Sequence, residues 1–589
     1  MKTRRDILKF AGGSALGVLF TPAPWRLITD TALWSENWPG IPRPARGEIR
    51  AKFTNCSLCT AGCAVRARCV GEQPVSLAGL PGATGLCPFG VTGHHLPYHP
   101  ARLRQGPVKE AAAAVADAVR NAGPGERIAV VDLRPGRTAS WTYRRAMAAV
   151  KNGLYLAPAE PAVAVDLAKA KTVLSLGAPL LEGWGTPSSV FAARDHFRLI
   201  QAEPIESRTA SLADLWLPIR PGSEETLALF LAGLMSRAES AEITGLTETQ
   251  LTSLESEVNG NGPALVIDRT MSPAVVSLNV KLGGWGVTIG PRHDAPVPTA
   301  WKNAAPATDL ATVPDRSIRV LLIDESAPGE YLPWSAIEKK LVAENPLVVS
   351  FAWSANGYGR YAKYVLPTAV YPEALDDIPP AIDRAAAEFR LSVPLVPAPP
   401  AMANVAEFIA GVAGLTAADA LRERADAIQQ AGHGTLVTYA DAKSAAVKDV
   451  KPEDFWKGLN AGGTWTGEET WSKSEAHPTA APASPRQRSM ADAELPLEVM
   501  VAGVRRAALV SPLMSKLYQE SDLLLAPNVV ALNPQDATAC GIDDGGRGTL
   551  ETRNGKWEVR VVTDSSVRPG VVLTSRPDLQ GTRGKVVAA

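Results

Sequence analysis

Six cysteines occur in the 589 residues of this chain, and five of them lie between positions 56 and 87. Cys56, Cys59 and Cys63 form a C-x2-C-x3-C run, and 23 residues separate Cys63 from Cys87. A tight loop that presents three thiolates to one side, with a fourth arriving from further along the chain, can surround a cubane iron–sulfur cluster. Soft thiolates select iron–sulfur clusters or zinc over hard cations. Zinc more often shows two C-x2-C knuckles, and here there is one. Disulfides are the remaining use of such cysteines in an oxidising compartment, but they do not require this spacing. Cys56, Cys59, Cys63 and Cys87 are therefore the expected ligands of one 4Fe–4S cluster. Cys69, inside the strand-like run 64–70, and Cys540, in Ala539-Cys540-Gly541-Ile542, read as buried small apolar residues. His94, His95 and His99 follow Cys87. Such histidines can tune a cluster or carry protons, and more often they cap helices or face solvent. Trp353, Trp456, Trp465 and Trp471 read as core or contact anchors rather than redox relays.

The elements that must hold these residues are legible as short apolar runs at 127–133, 172–176, 198–201, 264–267, 319–323 and 347–351. Several are followed by helix-like stretches such as 139–150 and 225–235. This alternation implies α/β architecture, with parallel sheets covered by helices on both faces. Ligands of such sheets bind outside the carboxyl ends of the strands. Gly177, Glu203 and the turn 221–224, with Gly222 and Glu224, all fall just after strands and outline a nucleotide-type pocket. On spacing alone, ordinary βα turns are the commoner reading. Residues 474–495, rich in Ala, Pro and Ser, read as a linker. From Leu497 onward strands and turns dominate, and Asn554-Gly555 between 548–553 and 556–562 predicts a hairpin.

Apolar residues make up 46% and charged residues 20%, as in globular chains, and the length suggests roughly three to four domains. Lys+Arg and Asp+Glu are both 60, so no nucleic-acid partner is indicated. Arg4-Arg5 stands ahead of an apolar run at 10–20, as in a twin-arginine export signal, which carries folded proteins to the periplasm. That run is shorter than the roughly 20 residues a membrane span needs. No later segment is long and apolar enough either, so membrane attachment calls for a partner or a retained signal.

The segments Asn55-Cys56 through Cys63, Gly85-Leu86-Cys87-Pro88-Phe89-Gly90 and Tyr98-His99-Pro100-Ala101-Arg102-Leu103 resemble the N-terminal cluster domain of the molybdopterin oxidoreductase family. Further blocks at 166–178, 203–210, 213–224, 361–367 with Glu373, and 531–570 resemble it in family order, so the likeness covers most of residues 50–575. It implies a multi-domain α/β fold: a twin-arginine signal region (1–30), an iron–sulfur domain (45–105), a discontinuous α/β domain (106–165 and 310–450), a nucleotide-binding-like α/β domain (166–309), the linker, and a double-psi-like β-barrel (496–589). It also implies that Gly177, Glu203, Ser207, Gly222 and Glu224 line the nucleotide end of a pterin cofactor, with Glu224 where the family acid holds guanine.

Departures from the pattern matter as much. Phe89 stands where the family has a lysine between cluster and pterin, and Lys363 replaces a family acid. The stretch 136–163, which would carry a metal ligand, is short and has no cysteine. Thr138, Ser140, Thr142, Tyr143, Tyr155 and Glu160 are its candidate donors; Ser140 is the best placed, but reads as a surface serine on a helix. No catalytic residue is therefore expected, and molybdopterin guanine dinucleotide is doubtful. In this the chain resembles the silent subunits of membrane quinone oxidoreductases, the menaquinone reductase of sulfate reducers and alternative complex III. The resemblance implies a periplasmic electron-transfer or scaffold subunit. Its implied partners are a ferredoxin-like multi-cluster subunit, an integral membrane quinone-binding subunit and a multihaem cytochrome c. The alternatives are a molybdenum or tungsten bis-pterin oxidoreductase using Ser140 or no protein ligand, and a cofactor-free structural subunit.

Overall fold

A computed structural model describes residues 3–20, 47–80, 85–99, 101–158, 160–326, 332, 334–355, 357–468, 470–474, 476–477, 494–501, 528–576, 579 and 582–589. The strands that read as unbroken apolar runs form its centre. Six strands, three of them among those runs, pair in the order Ala307–Thr308, Gly153–Leu156, Arg127–Asp132, Ile318–Asp324, Leu347–Ala352 and Tyr364–Pro367, and every pair is parallel. In Arg127–Asp132 and Leu347–Ala352 nearly every side chain is buried, as helices on both faces of a parallel sheet require. The order of strands reverses between Arg127–Asp132 and Ile318–Asp324. The crevice outside their carboxyl ends is the topological switch point, where doubly wound sheets place their ligands.

A second parallel sheet pairs Ala264–Asp268, Thr172–Leu176, Arg198–Ala202 and Leu215–Leu217. Val163–Val165 and Ile289–Pro291 form a small antiparallel pair beside it. The cysteine-rich segment makes an antiparallel sheet of Ile49–Asn55, Ala64–Val70 and Gln73–Gly79. It rests on a five-stranded sheet of Asp376–Asp377, Glu388–Ser392, Thr464–Thr466, Thr435–Thr438 and Lys443–Ala446. That sheet, antiparallel throughout, was not legible within the stretch read as α/β. Asn55 ties the two sheets together, its amide donating to the carbonyls of Leu391 at 3.0 Å and Gly462 at 3.1 Å.

The C-terminal strands close into a six-stranded barrel in the order Leu497–Val501, Val571–Thr574, Val529–Leu532, Gly555–Thr563, Arg547–Thr552 and Arg583–Ala588. The expected hairpin forms one residue earlier than its sequence signal, since Thr552 pairs with Gly555 and the turn is Arg553-Asn554. Gly555 instead opens the second strand at φ +147, with the Trp557 ring against it, a conformation that favours glycine. The helix Arg4–Phe20 leaves Ile7, Leu8 and Phe10 60–79% exposed, and no described helix is long and apolar enough to cross a membrane. Residues 21–30 of the signal region and most of the linker lie outside the described residues.

Candidate functional site

Cys56, Cys59 and Cys63 sit on the loop between the first two strands of the cysteine-rich sheet. The loop is cinched by Cys56 N–H donating to the Cys63 carbonyl at 2.8 Å. Cys87 arrives as the residue before the short helix Pro88–Val91. The four thiols converge: Cys59, Cys63 and Cys87 all act electrostatically on Cys56. Burial pushes the Cys56 thiol well up, and its three sulfur neighbours push it further. Burial likewise raises Cys59, against the pull of Arg134 and Arg390. Cys56 and Cys63 are buried and Cys59 and Cys87 half-buried, and a buried thiol such as that of Cys56 is costly to ionise unless a cationic centre compensates. Two glycines leave room beside them. A Cβ on Gly90 would come to 3.5 Å from the Cys56 Sγ, and one on Gly183 to 2.9 Å from the Cys59 Cβ.

Leu58, Phe89, Trp353 and Tyr371 pack around the thiols as one apolar core. Among the described residues no three His, Cys, Asp or Glu side chains close on a single metal-ion position. A cubane is wider, because each thiolate binds a different iron. Donor type, convergence and enclosure thus fit such a cluster. None of the six cysteines forms a disulfide among the described residues. Cys69 lies in the strand Ala64–Val70, with Lys52 and Glu72 as its charged neighbours. Cys540 lies at the end of the barrel helix Pro534–Ala539.

Two guanidinium groups brace the loop from outside. Arg134 donates to the carbonyls of Ser57 and Cys59, and Arg390 to those of Ala61 and Gly62 at 3.2 and 3.0 Å. Gly62 is required here, since its φ is +55 and a Cβ would meet the Arg390 guanidinium at 2.7 Å. Neither arginine was anticipated from sequence.

The switch-point crevice lies just beyond Arg134. Asp132 and Asp324 end the two central strands directly opposite each other, and Arg137 enters between them. Its guanidinium reaches Asp324 at 2.6 Å, Asp376 at 2.7 Å and Asp132 at 3.6 Å. Tyr143 donates to Asp324 at 2.8 Å and Tyr155 to Asp132 at 2.9 Å. Arg424 pairs with Asp377 at 2.9 Å, and Asp377 also accepts from the Thr138 N–H. Burial pushes the Asp132 carboxyl up. For Asp324 burial pushes the same way, but Arg137 and hydrogen bonds from Ser326 and Tyr143 overcome it and hold Asp324 below its ordinary value.

Ser140 is buried within this group, accepting from the Arg137 N–H at 3.2 Å. The surface position read from its helix is corrected, because that face of Thr138–Ala149 turns onto the sheet. Two described cavities, of about 450 and 1020 Å³, lie elsewhere. The acids of this crevice are thus paired with arginines, and Ser140 lies among them.

The nucleotide-type residues line the carboxyl edge of the second parallel sheet. Gly177 follows Thr172–Leu176 at φ +69, and a Cβ there would lie 3.8 Å from the Glu224 Cγ. Glu224 opens the helix Glu224–Leu231 after the Gly222 turn, where φ is +65. Beyond the end of the neighbouring strand Arg198–Ala202, Ser207 donates to Glu203, while its oxygen accepts from the N–H groups of Thr209 and Ala210 at 3.1 and 3.2 Å. A barrel loop covers this edge, with Arg568 N–H donating to the Pro204 carbonyl at 3.0 Å and Glu206 N–H to that of Ser566 at 2.8 Å.

Arg102 and Glu373, from two of the family-like blocks, form a buried ion pair 271 residues apart in sequence. The His94 and His95 rings lie 4.0 Å apart, tilted by 39°, and His99 meets Trp353 edge-on at 5.1 Å. Trp465 is fully buried and donates to the His433 carbonyl at 3.0 Å. Trp471 donates to the Pro291 carbonyl at 3.0 Å, and Trp456 packs against Arg422.

In structure the chain resembles the acetylene hydratase of Pelobacter acetylenicus, with a TM-score of 0.67 over 91% of this chain and 100% of that one, at 13% identity. Its fold is that of the molybdopterin oxidoreductases. Residues 515–587, which include most of the barrel of this oxidoreductase fold, match the family described as the molydopterin dinucleotide binding domain. In sequence the chain is 27% identical over 459 residues to the menaquinone reductase, molybdopterin-binding-like subunit, of Nitratidesulfovibrio vulgaris (strain Hildenborough). That match covers 64% of this chain and 66% of the relative, just under two thirds of its length. Against the molybdopterin oxidoreductase pattern, Phe89 is buried in the apolar shell of the thiols, where it offers no charge and no hydrogen-bond donor from its ring.

Proposed function

We propose that this chain is a periplasmic electron-transfer and scaffold subunit of a membrane-associated menaquinone oxidoreductase, with one 4Fe–4S cluster and no molybdenum or tungsten. The observation that carries the proposal is the pairing of two features in one place. Four converging thiols adjoin a switch-point crevice already filled by Arg137, Asp132, Asp324 and Asp376. The likeness to a menaquinone reductase subunit supports the respiratory assignment.

When bound, the cluster supplies reversible one-electron exchange. The chain's own residues do the rest. Cys56, Cys59, Cys63 and Cys87 supply the thiolates. Leu58, Phe89 and Trp353 keep water from them. Arg134 and Arg390 fix the loop carbonyls. Electrons would pass between a ferredoxin-like multi-cluster subunit, a multihaem cytochrome c and an integral membrane quinone-binding subunit, for which this chain is a rigid support. Gly177, Glu203, Ser207, Gly222 and Glu224 remain as a nucleotide-type edge beneath the barrel, without a role in metal chemistry. Export by the twin-arginine route suits a protein that takes up its cluster before crossing the membrane.

Electron paramagnetic resonance on the dithionite-reduced protein tests the proposal. One reduced-cluster signal per chain, with no molybdenum or tungsten signal, is expected. A molybdenum signal comparable in intensity to the cluster would replace this reading with that of a catalytic bis-pterin enzyme. The absence of any signal would leave a structural subunit.

A further inference from the structure

Arg134 and Arg390 are each only 4% exposed, yet their environments differ in charge. Burying a guanidinium costs several kcal/mol unless its charge is compensated. Arg390 is compensated: it forms an ion pair with Glu388, which is itself 3.7 Å from Arg384. Arg134 makes no ion pair with a carboxylate among the described residues. Asp376 attracts it from beyond contact, and Arg137 repels it. Its donors end on the Ser57 and Cys59 carbonyls, within the loop that bears three of the four thiols. The Nε atoms of both arginines are buried without an acceptor among the described residues. A fixed cation in a water-poor site acts on neighbouring charge with little screening.

We propose that Arg134 and Arg390 set the reduction potential of the centre held by Cys56, Cys59, Cys63 and Cys87, with Arg134 exerting the larger upward push because Glu388 screens Arg390; this rests on the cluster reading above. Reduction transfers one electron from a one-electron donor and adds one negative charge to the centre, and no proton is required. A buried positive charge beside the loop stabilises that reduced form, while the Glu388 carboxylate opposes it. The two arginines are positioning residues that act through the loop and its field, since neither is a ligand. A purely mechanical bracing role would hold the cluster without fixing the sign of the potential shifts.

A mediator-poised spectroscopic titration of the intact protein, with iron content measured for each variant, tests the assignment. For Arg134→Met the ratio of reduced to oxidised centre at the parent's midpoint should fall at least tenfold, a shift of about 59 mV for one electron. Arg134→Lys, which keeps the charge, should fall clearly less. Glu388→Gln, which touches no loop carbonyl, should shift the potential in the opposite direction. If Arg134→Met loses its iron, the Glu388→Gln shift alone decides. Iron-replete variants that titrate with the parent would overturn the proposal and leave the cluster reading intact. A parent protein without iron would overturn both.

Discussion

Single residues carry the sharpest expectations. Cys59→Ala removes one of four converging thiols and should abolish the iron–sulfur absorbance. Cys69→Ala should leave it, because the charged neighbours of Cys69 are Lys52 and Glu72 rather than the other cysteines. Equal loss from both changes would contradict the ligand set. A second expectation concerns Glu325, which accepts from the Ser350 hydroxyl at 2.5 Å and from the Tyr358 N–H at 3.1 Å. Burial raises its carboxyl from 4.5 to about 7. Between those values the folded chain holds a proton that the unfolded chain has lost, so the contribution of this group is full below about pH 4.5 and declines as pH rises through 7. Glu325→Gln should flatten that part of the dependence of Tm on pH, and an unchanged slope would count against it. The grouping of Cys56, Cys59 and Cys63 was legible because all three fall on one short loop of the chain. Arg134 and Arg390 were not, since the fold brings them to the loop from 77 and 329 residues away.

At the scale of elements, the Arg137 group determines what the switch point can do. Arg137→Met would leave Asp132, Asp324 and Asp376 crowded without their shared cation. Breaking a buried pair by removing one partner costs about 3–5 kcal/mol. A lowered Tm, with faster hydrogen exchange in Arg127–Asp132 and Ile318–Asp324, should report it. A variant as stable as the parent would show that the network is dispensable. The central parallel strands, such as Arg127–Asp132, Thr172–Leu176 and Leu347–Ala352, were readable because burial on both faces leaves them largely apolar. The five-stranded antiparallel sheet was not, because its strands are two to five residues long and too short to show alternation. Ser140 was misread for a related reason: helical periodicity locates an apolar face but does not reveal that a polar side chain on it meets a buried charge network.

At the scale of the whole molecule, the protein is proposed to be an exported scaffold that carries a cluster and no catalytic metal. Replacing Arg4 and Arg5 by Lys should hold the protein in the cytoplasm, as fractionation would show, and normal periplasmic accumulation would contradict the twin-arginine route. The overall α/β order and the barrel were legible because each block keeps its place along the chain. Metal analysis of the purified chain by mass spectrometry tests the central claim most directly. About four iron atoms per chain with no stoichiometric molybdenum or tungsten is the expected result, and about one molybdenum per chain with extractable pterin would contradict it.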